Sequence, residues 1–277
     1  MVAAREGLTV GLIGHGAIGR VVAEALLCGA AGSAVLTAVL CQDVSRHSGA
    51  AAYDEHGVLF TDDPAVFFAC APAVVVEAAG QAALHDYATR ALRRGTELLV
   101  SSIGAFADEA YFNEVLEHAE HCEARIGLVS GALPAVDWLS AANLRGAKRV
   151  AIVQSKPVES WRGTRAEELI DLDVLSEPSC FFEGNAREAA TQFPNSSNIT
   201  AMLALCTVGM DDTLVKLMAD PIEERMATHI EYEGEAGSLC IEWRGVPSVL
   251  NPRTSADVPL TIVRMLRDRA STISYGA

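Results

Sequence analysis

The feature that most constrains this chain is a glycine-rich turn close to its start. Leu8 to Ile13 is a short apolar β-type run, broken only by Thr9 and Gly11. It leads directly into Gly14-His15-Gly16-Ala17-Ile18-Gly19, the spacing G-x-G-x-x-G. Ile18, Val21, Val22, Ala25 and Leu26 then recur at helical spacing. Strand, turn and helix in this order are the setting in which such glycines hold a pyrophosphate. Gly14 makes the tight turn, Gly16 lets the backbone approach the phosphates, and Gly19 lets the helix pack on the strand. The first amides of that helix point at the anion. The turn therefore predicts a dinucleotide cofactor held by Gly14, His15, Gly16, Ala17, Ile18 and Gly19. The bland alternative is a structural βα turn with no ligand.

With 277 residues, half of them apolar, the chain has room for two modest domains with separate cores. No apolar run reaches the length of about 18 residues that a membrane span needs, and no basic, hydrophobic leader precedes the first strand. A soluble, cytoplasmic protein with no membrane partner is expected. The 21 basic and 36 acidic residues leave a net charge of −15, which repels nucleic acid. An anionic substrate would therefore need a local basic pocket. The seven cysteines are scattered without a C-x-x-C pair, which predicts reduced thiols and no metal site.

The first half alternates strand and helix. Ala34 to Leu40, Val74 to Ala78, Glu97 to Ser101 and Ile126 to Val129 read as further buried strands, with helices over Gln81 to Arg94 and Ala107 to His121. This is the pattern of an α/β, Rossmann-type, doubly wound parallel sheet. Beyond about Leu133 the character changes. Lys148 to Gln154 reads as a longer strand and Ile230 to Trp243 as a hairpin bent at Gly234 to Gly237. Helical pieces lie at Ala186 to Gln192 and Ile199 to Val208, and a final helix runs from Ala256 to Arg269. The expected organisation is a dinucleotide-binding domain over residues 1–133 and a second α/β domain, with a mixed or antiparallel sheet, over 134–250. Residues 251–277 form a C-terminal helix that returns to the first domain.

Two further sets of residues bear on chemistry. At the end of the second strand, Asp43 can bind a ribose 2′-OH and favour NAD, whereas Ser45, Arg46 and His47 can pair with a 2′-phosphate and favour NADP. Both stay open beside the bland reading of Asp43 and Arg46 as loop surface. In the second half His229 is the one histidine; the other six lie within the first 121 residues. Period-two alternation puts Glu231 and Glu233 on its side of the strand. Asn185 or Asn195 can cap helices, and Thr254 or Ser255 can open the last one; the functional alternative is that these loop amides and hydroxyls converge on a small carboxylate.

The chain resembles the L-aspartate dehydrogenase family. The resemblance runs through the Gly11 to Gly19 segment, Val74-Val75-Val76-Glu77-Ala78-Ala79, Ser130-Gly131-Ala132-Leu133 and Gly184-Asn185-Ala186-Arg187-Glu188-Ala189-Ala190. It continues through Phe193-Pro194 with Asn198, Ala219-Asp220-Pro221, His229, and Asn251-Pro252-Arg253-Thr254-Ser255. It implies a Rossmann domain followed by an α/β domain that carries substrate and dimer contacts, hence a homodimer. It also implies NAD(P)-dependent oxidative deamination of L-aspartate to iminoaspartate and then oxaloacetate and ammonia, reversibly, with the imine able to feed pyridine nucleotide biosynthesis. Carried over, the family's catalytic histidine falls on His229 and its cofactor-contacting residues on Ala132 and Asn198. Asn198, His229, Thr254 and Ser255 are the expected substrate contacts, for a small dicarboxylate amino acid. The chain departs from the family where Ser196-Ser197-Asn198-Ile199 follows Phe193-Pro194 in place of Asn-Val-Asn-Val, and at Lys156-Pro157-Val158, where a second proline is usual.

The chemistry needs a base, because an ammonium nitrogen has no lone pair with which to form the imine as hydride leaves. A histidine suits that role near neutral pH. The alternatives are a related Rossmann dehydrogenase of homoserine or another small amino or hydroxy acid, or a nicotinamide-binding regulator without catalysis.

Overall fold

The computed structural model describes residues 7–47, 53–251 and 254–275. The chain divides into two compact units. One comprises Met1–Ser102, Ala110–Val129 and Val258–Ala277; the other comprises Ile103–Glu109 and Ser130–Asp257.

The first unit is built on a six-stranded sheet: β1 (Leu8–Ile13), β2 (Ala34–Leu40), β3 (Leu59–Thr61), β4 (Val74–Glu77), β5 (Glu97–Val100) and β6 (Arg125–Leu128). Its order is β3-β2-β1-β4-β5-β6 with every pairing parallel. This is the doubly wound order that reverses between β1 and β4, the place where such sheets bind ligands beyond their strand ends. Val10, Leu12, Val39, Val76 and Leu99 are fully buried in it, as expected of strands covered on both faces. Helices α1 (Ala17–Leu27), α2 (Pro64–Ala69), α3 (Gln81–Ala91) and α4 (Glu109–His121) connect the strands.

The last described helix, Val258–Ala270, belongs to this unit. Its Ile262 and Leu266 are fully buried in the core that also contains Val22 and Leu26 of α1. Arg269 clamps Glu97 of β5 with two bonds of 2.5 and 2.6 Å.

The second unit carries helix α5 (Val136–Asn143) and then the five strands β7 (Ala147–Pro157), β8 (Ser179–Asn185), β9 (Leu214–Asp220), β10 (Ala227–Gly234) and β11 (Gly237–Arg244). Their order is β11-β10-β7-β9-β8, antiparallel except for the β7–β9 pair, so the sheet is mixed. Helices α6 (Ala166–Leu169), α7 (Ala186–Gln192) and α8 (Asn198–Leu205) complete it. Helix α7 starts at a capping box in which Asn185 and Glu188 satisfy each other's backbone amides. Helix α8 is apolar all round, with Ile199 through Ala204 all buried, which marks it as a core element.

Alternation along the strands gives the mixed sheet two unlike faces. Val150, Ile152, Gln154 and Lys156 of β7, with Thr228, Ile230 and Tyr232 of β10, are buried on one. Arg149 and Val153, with His229, Glu231 and Glu242, share the other. The final helix starts at Val258, so Thr254 and Ser255 do not open it. Ser255 instead forms an isolated β-bridge with Pro247.

Candidate functional site

The glycine turn separates what the fold demands from what a ligand demands. Gly14 has φ +99°, and a Cβ there would lie 2.7 Å from the Ala78 carbonyl oxygen. A Cβ on Gly19 would lie 2.0 Å from the carbonyl oxygen of Gly14. Both glycines are thus required by the turn itself. Gly16 is different: a Cβ there meets nothing within 4 Å. Packing among the described residues therefore does not require a glycine at this exposed position, whereas a ligand that approaches the backbone would. Gly16 also precedes α1 without any side-chain cap, so the amides following it, from Ala17 and Ile18 onward, face outward uncapped. These residues fit a dinucleotide pyrophosphate.

Beside the turn, Glu77 ends β4 fully buried. Its carboxylate accepts from the amides of Ala79, Gly80, Ser101 and Ser102 and from the Ser102 hydroxyl. Five donors on one carboxylate fix the ends of β4 and β5 where a ligand would rest.

At the ribose end, Asp43 accepts from the Ser45 amide at 2.9 Å and hydroxyl at 2.6 Å, and pairs with Arg46 at 3.1 Å. The bonds from Ser45 hold its pKa below the usual carboxylate range. Asp43 thus caps the short 3₁₀ turn Val44–Arg46, a local job that sequence alone left open. The His15 ring nitrogens meet the Tyr53 hydroxyl at 2.7 Å and His47 at 3.3 Å, and Phe60 packs edge-on. Burial, then the neighbouring His47 and Arg20, push the His15 pKa down to about 4. The neutral imidazole belongs to an aromatic cluster at the strand ends.

In the second unit, Ala132 follows Gly131, whose φ of +58° makes the turn after Ser130. Asn198 opens α8, and its side-chain oxygen accepts from the Gly104 amide at 2.9 Å. Arg187 holds the same segment from the other side, donating to the Ala107 carbonyl at 2.6 Å while it clamps Asp211.

A pocket opens on the helix-covered face of the mixed sheet, and its lining includes Lys156, Asn195, Ser196, Met226, Thr254 and Ser255. Lys156 is 9% exposed. Its Nζ donates to Ser196 Oγ at 2.8 Å and lies 4.8 Å from the centre of the Trp161 ring. Among the described residues no carboxylate comes within ion-pair distance of it. Burial pushes its pKa down to about 8. Ser255 is 8% exposed, and its Oγ has no hydrogen-bond partner among the described residues. Two acids also line the pocket: Glu159, which binds Arg162 at 2.9 Å, and the exposed Glu224.

Thr254 and Ser255, two of the residues expected at a substrate, therefore come together with Lys156. His229 does not. It lies between Thr228 and Ile230 on β10, and those two side chains are buried on the covered face. Period two therefore turns His229 to the open face. There its Nε2 meets Glu231 at 3.2 Å, its Nδ1 lies 3.9 Å from Glu242, and Cys240 Sγ is 3.9 Å away. On the pocket side the strand presents Thr228, paired across the sheet with Gln154. Sequence reasoning had missed Lys156 as a site residue. The signal was its parity, which matches Val150 and Ile152, so that an ionisable group stands in an apolar row.

Pro252 and Arg253 lie outside the described residues. Among those described, no helix is long and apolar enough to cross a membrane.

Comparison with known proteins agrees with both halves of this description. Residues 137–269 match the family model described as aspartate dehydrogenase, C-terminal, and residues 14–128 match that of the homoserine dehydrogenase NAD-binding domain. An L-aspartate dehydrogenase of Acinetobacter baumannii is 39% identical over 202 residues, covering 73% of this chain and 77% of the relative. One from Ralstonia pickettii is 40% identical over 201 residues, covering 73% and 75%. The crystal structure of aspartate dehydrogenase from Thermotoga maritima superposes with a TM-score of 0.75 at 24% identity, over 97% of this chain and 99% of that one, and so shares the fold. With its nucleotide cradle and these relatives, the chain belongs to the L-aspartate dehydrogenase family and is an NAD(P)-dependent dehydrogenase.

Proposed function

We propose that the protein oxidises L-aspartate with NAD or NADP and runs the reverse amination of oxaloacetate. The observation that carries this reading is the pocket around Lys156: a buried cation with no acidic partner among the described residues, beside hydroxyls, in a chain of net charge −15. Such a chain repels anionic substrates at long range, so one it does bind needs a local cationic contact. The family relationship supplies the substrate.

In the cradle, the oxidised nicotinamide supplies the hydride acceptor. The amides that follow Gly16 hold the pyrophosphate, and Glu77 keeps the neighbouring strand ends fixed. In the substrate, the α-ammonium loses a proton to solvent water, the Cα–H bond breaks with both electrons leaving as hydride, and the nitrogen lone pair closes the C=N bond. Water then converts iminoaspartate to oxaloacetate and ammonia. Since the His229 ring faces the open side of the sheet, the reading assigns it no step. The same reading, on the strength of the family resemblance alone, takes the enzyme as a cytoplasmic homodimer whose imine feeds pyridine nucleotide synthesis.

The test is absorbance at 340 nm with L-aspartate and each cofactor, and with L-homoserine as the competing substrate. Aspartate-dependent reduction is expected. Cofactor binding with turnover of homoserine alone would overturn the reading. The cradle is tested separately by Gly16→Val. This should weaken NAD(P)H binding in a fluorescence titration at least tenfold and leave the fold intact, since a side chain there meets only open space. Unchanged affinity would remove the glycine turn from the cofactor site.

A further inference from the structure

We propose that Lys156 is the specificity residue of the substrate pocket: its ammonium forms the ion pair with one substrate carboxylate, and the Ser196 and Ser255 hydroxyls complete that group's hydrogen bonds. The inference rests on the functional reading above and names the contact that selects an acidic amino acid.

Three independent observations converge. Lys156 is held on the covered side of β7 by strand parity, and it lines the pocket instead of reaching through to bulk water. A buried ammonium ordinarily has a carboxylate beside it, because removing an unpaired charge from water is costly. Here its neighbours are a hydroxyl at 2.8 Å and the face of Trp161. Of the pocket's two acids, Glu159 is engaged by Arg162 and neither contacts Nζ. Ser255, more than nine-tenths buried, has a hydroxyl with no partner among the described residues and lines the same pocket. A single bound group could serve both the cation and the hydroxyl. A carboxylate matches both, as it accepts several hydrogen bonds and carries the missing charge. The lowered pKa agrees, because it is what burial without a counter-ion produces.

The test uses the whole enzyme and two probes, succinate as a dicarboxylate and butyrate as the monocarboxylate of equal chain length. Lys156→Met should raise KM for aspartate at least thirtyfold, change kcat much less, and leave the NAD(P)H dissociation constant within about twofold. Succinate should compete with aspartate in the wild type and not in the variant, with butyrate far weaker in both. A second measurement needs no variant and no turnover. Calorimetry of succinate binding at pH 9, in buffers of different ionisation heat, should show proton uptake, because the incoming carboxylate restores the charge on Lys156. A folded Lys156→Met enzyme with unchanged KM and unchanged succinate competition would overturn the proposal, as would a loss confined to kcat or succinate binding without proton uptake. If the wild type fails to oxidise aspartate yet binds succinate with proton uptake, the functional reading falls and the carboxylate site stands.

Discussion

The two faces of the mixed sheet are made by the same strands and differ in almost everything else. On the covered face, helices and the Trp161 aromatic cluster limit access of water, and Gln154 Oε1, Thr228 Oγ1, Tyr232 Oη and Ser255 Oγ have no partner among the described residues. On the open face charges are plentiful and several are matched. Arg149 binds Glu231, Glu231 binds His229, and Lys216 binds Glu183 at 3.1 Å. Charge pairs on a wetted surface contribute little to stability and satisfy one another without help. Unsatisfied groups in a dry environment cost free energy, and they persist where a ligand completes them. The difference teaches where to look for function: the face with fewer ionisable groups holds the one whose environment asks for a partner.

The largest expected effect of breaking this contrast comes from Trp161. Its side chain is fully buried, packs edge-on against Phe181 and Phe193, and donates from Nε1 to the Met218 carbonyl at 2.9 Å. Trp161→Ala should cost about 3–5 kcal/mol, read from chemical denaturation, through lost burial and an unfilled cavity. It also wets the Lys156 ammonium. A loss under about 1 kcal/mol would show that the covered face is less enclosed than its burial indicates.

Next comes Lys156 itself, through pH. In the unfolded chain its proton is held to about the ordinary 10.5, whereas in the fold it leaves near 8. Between those values the unfolded state binds more protons, so this group makes stability rise with pH across the window and imposes its full penalty below pH 8. The gap corresponds to about 3 kcal/mol. Lys156→Met should therefore be more stable than the wild type at pH 7 by up to about that amount, with the difference closing as pH rises toward 10.5. Equal stability at pH 7 would mean that the ammonium is solvated or paired after all. A stabilising substitution that removes substrate affinity is the behaviour of a group kept for binding.

How much of this was legible in the sequence follows from the range over which each feature is determined. The Gly14 to Gly19 turn is local, and its strand, loop and helix were readable because neighbouring residues alone fix them. Strand β3 at Leu59–Thr61 was not, since three half-buried residues carry no periodicity. Strands β8 and β9 also escaped: Glu183 and Lys216 break their apolar runs, and only pairing across the sheet shows that these two belong to the open face. The placement of Glu231 beside His229 was correct from alternation. Which side of the strand would be covered was not available, because the helix that packs on β10 is α5, far earlier in the chain, whose Trp138 meets Tyr232 edge-on. Thr254 and Ser255 read as a helix start by residue type, yet the bridge from Ser255 to Pro247 draws them into the pocket rim instead.

The smallest expected effect is the one that most sharpens the contrast between the faces. The family resemblance implies that His229 is the catalytic histidine, and a functional imidazole there predicts that His229→Ala lowers kcat by roughly a hundredfold or more and removes a limb of the pH profile. Its place in the structure predicts otherwise. The side chain is about one-third exposed, hydrogen-bonded to Glu231, and on the opposite side of the sheet from Lys156, Ser196 and Ser255. An exposed substitution of this kind ordinarily changes stability by no more than about 0.5 kcal/mol. We expect kcat within about threefold of wild type, an unaltered pH profile and an unchanged KM for aspartate. Full pH profiles of kcat under saturating aspartate, measured for both proteins, decide the matter. A hundredfold loss with a missing limb would require β10 to present its other edge to the substrate, which its pairing of Thr228 with Gln154 opposes. A neutral result would place all the chemistry of this unit on the face that the helices keep dry.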